Sequence, residues 1–230
     1  ANGLPHLNGT ALALAGNEDV KLTLDVQRPN GPLATLEARV LAPLAALQDR
    51  EVVGRVPFRM KARGGPVPLS EIPGMAVKPA QGNRGPQGVL SMELVARGTP
   101  EAPELELNAG MQHGGVAQTA LGQARLHYSY SQAKSLFDAM LTAPGGGSLL
   151  LGGTMDLDLS LPAFQSAQGP AKKAERAPVE VSLRARRFDP TFLSGISPYV
   201  RSLGGIMQAD ANLGGTVGAP TFKGDLQWKD

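Results

Sequence analysis

Asp156, Asp158 and Ser160 stand at alternate positions, as the first ligands of a calcium loop do. Such a loop needs glycine at its sixth place for the sharp turn and a bidentate glutamate beyond it. Leu161 occupies the sixth place and the glutamate is missing, so the three residues read as the wet side of a strand. Gly145, Gly146, Gly147 and Ser148 resemble a phosphate cradle, but no Gly-Lys-Ser/Thr follows and the next segment alternates like a strand; a hairpin turn is expected there. His6, His113 and His127 lie far apart without a partner at ligand spacing, cysteine is absent, and no Gly-x-Ser-x-Gly elbow occurs. The sequence therefore predicts a non-enzymatic protein with no metal and no cofactor.

Composition says what the chain is built for. With 42% hydrophobic and only 18% charged residues it is rich enough in apolar groups to fold. Its 29 glycines and 19 prolines suit many strands joined by tight turns, which makes all-β the expected class. Aromatics are 4%, so buried surface must be walled mainly by Leu, Val, Ala and Met. A formal charge of +2 leaves no basic excess for nucleic acid. No apolar run approaches the length of a membrane span, and no signal peptide is legible at Ala1. The chain reads as a segment of a longer protein.

One pattern occurs twice. Gly88, Gly98, Thr99 and Pro103 recur with the same spacing as Gly205, Gly215, Thr216 and Pro220, and apolar and polar residues alternate between the glycines in both copies. The expectation is a repeated strand, turn and strand within units of about 1–110 and 111–230, in one continuous domain over 1–230. The same one-sided alternation marks strands at Leu22, Leu24 and Val26, at Leu126, Tyr128 and Tyr130, at Met155, Leu157, Leu159 and Leu161, and at Val179, Val181 and Leu183. Further strands are expected near 10–15, 33–40, 55–62, 103–109, 148–154 and 219–228, and 131–141 is read as strand despite helical spacing. Short helical turns fit 43–52 and 189–203, the latter opening on Asp189-Pro190, with Phe192, Leu193, Ile196 and Tyr199 able to plug a sheet edge. Residues 81–88 and 165–178 read as exposed loops; the Lys172, Lys173, Arg176 cluster of the second is diluted by Glu175.

The 188–227 stretch, FDPTFLSGISPYVRSLGGIMQADANLGGTVGAPTFKGDLQ, resembles the repeating unit of the TamB family of AsmA-like Gram-negative envelope proteins. The marks are a helix-forming lead-in, the Leu203 to Gly205 step, Gly215-Thr216, then Pro220 and Gly224. The 88–107 copy departs by carrying Leu107 where Gly224 stands, and weaker likeness extends to LNGTALAL and to PGGGSLLLGGTMDLDLSLP. The resemblance implies a long curved antiparallel sheet forming an open U-shaped groove with an apolar interior, flanked or plugged by one or two short helices. It further implies a role in moving phospholipid between inner and outer membranes, with some members aiding outer-membrane protein assembly. Periplasmic location follows, with an inner-membrane anchor and an outer-membrane barrel partner reached through regions outside this segment.

The alternation supports such a groove by itself, because one-sided strands must cover their dry faces and too few amphipathic helices exist to do so. Lipid-facing positions are then Leu22, Leu24, Val26, Leu90, Met92, Leu94, Met155, Leu157, Leu159, Val181, Leu183, Met207, Ala209 and Leu213. The competing expectation is a structural or adhesive β-repeat module whose apolar faces close on each other and hold no lipid.

Overall fold

The structure, a computed structural model, describes residues 8–29, 31–72, 87–116, 119–165, 175–192 and 204–229. Alternating apolar and polar residues favour extended chain with one dry side, and the chain is all-β. Its strands are β1 (Asn8–Ala15), β2 (Val20–Arg28), β3 (Gly31–Val40), β4 (Phe58–Pro68), β5 (Gln87–Thr99) and β6 (Ala102–Val116). They continue as β7 (Thr119–Ser131), β8 (Lys134–Thr142), β9 (Ser148–Asp156), β10 (Val179–Phe188), β11 (Ile206–Thr216) and β12 (Ala219–Lys229). All twelve form one antiparallel sheet in which spatial order equals chain order, and the sheet does not close: β1 and β12 are its two edges.

Helical structure is confined to connections. Pro43 precedes a 3-10 turn at Leu44–Gln48 and helix α1 at Arg50–Val53, where short helical turns were expected. Helix α2 spans Leu161–Gln165, and further 3-10 turns occupy Leu69–Glu71 and Pro190–Phe192. The last opens as its sequence predicts: Asp189 Oδ1 accepts the Thr191 backbone N–H at 2.9 Å. The expected plug residues Leu193, Ile196 and Tyr199, like His6, Lys172 and Lys173, lie outside the described residues, and so does 81–86 of the first expected loop.

The repeated sequence is a repeated hairpin. Gly98 and Gly215 both have positive φ, at 103° and 91°, one residue before the turn. Thr99 Oγ1 accepts the Ala102 N–H at 3.1 Å, and Thr216 Oγ1 accepts the Ala219 N–H at 3.2 Å. Glycine is required because a Cβ at Gly98 would stand 2.5 Å from Ala102 O, and one at Gly215 2.7 Å from Ala219 O.

Several boundaries differ from expectation. β4 runs to Pro68 rather than ending near 62, through a register shift between Gly64 and Val67. β6 reaches Val116, and Gln87 and Gly88 belong to β5 rather than to a loop. The strand expected over Met155–Leu161 stops at Asp156. The cause is local: Asp158 Oδ1 accepts the Ser160 N–H at 3.0 Å, and Ser160 O then accepts the N–H groups of Ala163 and Phe164, turning the chain into α2. Leu157 and Leu159 thus leave the ladder.

Candidate functional site

Register places the strands' dry residues in rows that cross the sheet. One row runs through Ala11, Leu24, Leu36, Ala62, Leu94 and Leu107 and continues through Tyr128, Phe137, Gly153, Val181, Leu213 and Phe222. Every strand contributes one residue and none of the twelve is buried. A second row, Gly9, Val26, Ala34, Gly64, Met92 and Ala109, then Leu126, Ala139, Leu151, Leu183, Ala211 and Gly224, lies two residues away, and only Ala211 in it is buried. Neither row holds a charged residue. At about 4.8 Å per strand the pair forms an apolar stripe about 50 Å long.

Cover exists at the margins of this face. Ala42, Val56, Leu69, Ala163 and Ala177 are buried in connections, and Phe188 and Pro190 are buried where β10 ends. The row next to the stripe on one side holds Ala96, Tyr130 and Ser135, all buried, and there Leu159 N–H donates to the Tyr130 phenol at 2.8 Å. Burial pushes the Tyr130 phenol above its ordinary pKa.

The expected lipid-facing residues distribute over this face as follows. Leu24, Leu94, Val181 and Leu213 share the first row; Val26, Met92 and Leu183 share the second. Leu22 and Met155 lie in the marginal row of Tyr130, while Leu90 and Ala209 lie in the row on the other side. Met207 sits opposite Trp228 near the end of the sheet. Leu157 and Leu159 are corrected: they belong to the connection after β9. Sequence reasoning missed the contributions of β1, β3, β4, β6, β7, β8 and β12, where Ala11, Leu36, Ala62, Leu107, Tyr128, Phe137 and Phe222 carry the stripe. Their one-sided alternation was present but weakened by Ala and Gly at neighbouring dry positions.

The central row of the other face is polar, and Leu12, Leu14, Leu136, Met140 and Leu150 are exposed on that face beside it. The row Thr10, Asp25, Thr35, Arg63, Glu93 and Asn108 continues through His127, Asp138, Gly152, Ser182, Asn212 and Lys223. Lys61 binds Glu93 at 2.6 Å, and this hydrogen bond holds the Glu93 carboxyl below its ordinary pKa. His127 Nδ1 lies 2.8 Å from Asn108 Oδ1. A hollow of about 940 Å³ opens here, lined by Glu93, Asn108, His127, Asp138 and by the neighbouring Arg125, Met140, Leu150 and Arg184. Gly110 and Gly152 also line it and place no side chain into it. Among the described residues no group of His, Asp or Glu has the arrangement of a metal site. Gly145–Gly147 form the β8–β9 turn, closed by Ala143 N–H to Gly147 O at 2.8 Å.

No protein-family model, curated protein or solved structure matches the chain. Among the described residues no helix is long and apolar enough to cross a membrane.

Proposed function

We propose that the chain is a non-enzymatic segment that carries phospholipid acyl chains along the apolar face of its sheet, that face forming the inside of an open groove. The observation that carries this reading is the first row: twelve apolar or glycine positions, one per strand, none buried. A continuous uncharged stripe of this length is a surface that water covers at a cost. Burying one CH₂ is worth about 0.8 kcal/mol, so shielding a chain of fourteen to sixteen carbons is worth roughly 11 to 13 kcal/mol before the losses of binding. Sliding is compatible with such a surface, because the one polar side-chain group in the two rows, the Tyr128 hydroxyl, is hydrogen-bonded to Ser135 Oγ at 3.0 Å.

The same unburied row favours the lipid reading over a closed-core structural module, whose dry side chains would be packed away. The likeness of residues 188–227 to the TamB repeating unit supports a periplasmic setting between inner and outer membranes, and assistance to outer-membrane protein assembly belongs to the same reading. Regions outside this segment would supply the anchor and the barrel contact.

Trp228 is the sole tryptophan, lies on the apolar face opposite Met207 and is partly exposed. Phospholipid brominated along its acyl chains should quench its fluorescence on binding, whereas glycerophosphocholine, which has the headgroup alone, should not. Extraction of the purified chain should release phospholipid to mass spectrometry. Absence of both signals would overturn the proposal.

A further inference from the structure

Two neighbouring strands in the interior of the sheet are apolar on both sides. Ala139, Met140 and Leu141 in β8 and Leu149, Leu150 and Leu151 in β9 run without a polar break, the pattern of strands covered on both faces. Yet Met140 is 44% and Leu150 41% exposed, paired side by side on the face opposite the apolar stripe and lining the hollow of about 940 Å³. We propose that this hollow binds a small carboxylic acid with an apolar body, its carboxylate held by Arg125. The site lies on the other side of the sheet from the stripe and stands whether or not the stripe carries lipid.

The ligand's charge follows from which groups of the hollow are already engaged. Glu93 is bound by Lys61 at 2.6 Å and by Arg63 at 3.7 Å, and Arg184 by Asp210 at 3.5 Å. Arg125 stands directly opposite Met140, lines the hollow, is exposed and makes no ion pair among the described residues. Asp138, the nearest carboxylate along β8, leans away from it over β9: a Cβ at Gly152 would stand 2.9 Å from Asp138 Oδ1. The guanidinium is therefore left for an external anion, and its planar fork matches the two oxygens of a carboxylate.

The body of the ligand follows from the neighbours of that seat. From Arg125 the row passes across Met140 and then Leu150, so hydrocarbon attached to a carboxylate on Arg125 lies over two apolar side chains in succession and takes them out of water. Gly152, beside Leu150 on the same strand face, leaves the backbone bare and gives the body room. The volume falls within the range of small-molecule sites, roughly 300 to 1,000 Å³.

The test uses the 230-residue chain with its methionine methyls isotope-labelled for NMR, because Met140 reports the hollow and Met92 the stripe on the opposite face. Loss of a signal in Met140→Leu and in Met92→Leu assigns the two. Phenylbutyrate should shift the Met140 methyl to saturation and leave that of Met92 in place. Phenylbutanol, which lacks the charge, and acetate, which lacks the body, should each bind at least about tenfold more weakly. Arg125→Gln should weaken phenylbutyrate by about tenfold and bring it level with the alcohol. Arg97→Gln removes the same charge from the same face outside the hollow, where Arg97 is paired with Glu104 at 2.7 Å, and should leave binding unchanged. Far-UV circular dichroism confirms that both variants keep the strand content. A Met140 signal that stays still, a Met92 signal that moves with it, equal binding of the three probes, or equal loss from the two arginine variants would each overturn the proposal.

Discussion

Leu159 donates its backbone N–H to the Tyr130 phenol across 2.8 Å, tying the chain that leaves β9 to the end of β7. The same connection then reaches both copies of the repeated turn. Leu161 N–H donates to Pro100 O at 2.7 Å in the β5–β6 turn, and Ala177 O and Glu175 O accept from Val217 and Gly218 in the β11–β12 turn at 3.1 and 2.7 Å. Hairpins six strands apart in a simple meander are thus held by the two ends of one segment. The margin along which these tethers lie holds the buried Ala96, Tyr130 and Ser135, while the two central rows, Ala211 apart, are unburied.

Tyr130→Phe should cost about 1 to 3 kcal/mol of stability, because it leaves the Leu159 N–H without its acceptor in a part-buried place. Urea melts with fluorescence detection measure this. The phenol also predicts a pH dependence. Its folded pKa is raised by burial above the unfolded value, so the folded state holds the proton longer. Stability contributed by this group is therefore intact below the unfolded tyrosine pKa of about 10 and falls as pH rises past it. The Tyr130→Phe variant should show a shallower loss between neutral pH and strong alkali; equal slopes for the two proteins would remove Tyr130 as the cause.

Gly98→Ala and Gly215→Ala should each destabilise the chain by about 1 to 3 kcal/mol, since both residues hold positive φ and a Cβ would press on the carbonyl of Ala102 or Ala219. Thr99→Ala and Thr216→Ala lose one exposed hydrogen bond each and should cost about 0.5 to 1 kcal/mol. Denaturant midpoints of the four variants test the equivalence of the two copies: matched effects within each pair are expected.

These two turns were legible in sequence because their punctuation is covalent and local: glycine where φ must be positive, threonine where a hydroxyl must cap the turn. The one-sided strands were legible for the same reason, through a period of two. What escaped was set by weaker signals. Leu157 and Leu159 continue the alternation of Met155 without a break, yet the side chain of Asp158 binds the Ser160 N–H and diverts the chain; a single Asx turn outweighs the periodicity. β4 hid its length behind Gly64, Gly65 and Pro66, a sequence that reads as a turn but here sits within the strand beside a register shift. Row membership depends on register, and register is fixed by partners distant in sequence, so Leu36 and Phe137 acquired their place in the stripe only from the pairing of β3 with β2 and β8 with β7.

Ala133→Gly should stabilise the chain by about 0.5 to 1 kcal/mol. Gln132 and Ala133 join β7 to β8 and both hold positive φ, at 51° and 59°, as a type I′ turn demands. Alanine in the left-handed region is strained by its Cβ, and glycine removes that strain at an exposed site where no packing is lost. A thermal melt that moves down instead of up would show that the turn is held by something other than local backbone preference.

Met92→Asp tests the stripe itself. Met92 lies in the second row and is 40% exposed, so the substitution removes little packing and the chain should fold with nearly wild-type stability. A carboxylate there must be desolvated against any acyl chain passing over β5, which should lower the apparent affinity for phospholipid at least about tenfold, read by quenching of Trp228 with acyl-brominated lipid. Asn212→Asp adds the same charge to the opposite face, next to Lys223 across β12, and should leave binding unchanged. Equal loss from both variants would point to net charge rather than the apolar stripe. Unchanged binding by Met92→Asp, with the fold intact, would remove the second row from the lipid path.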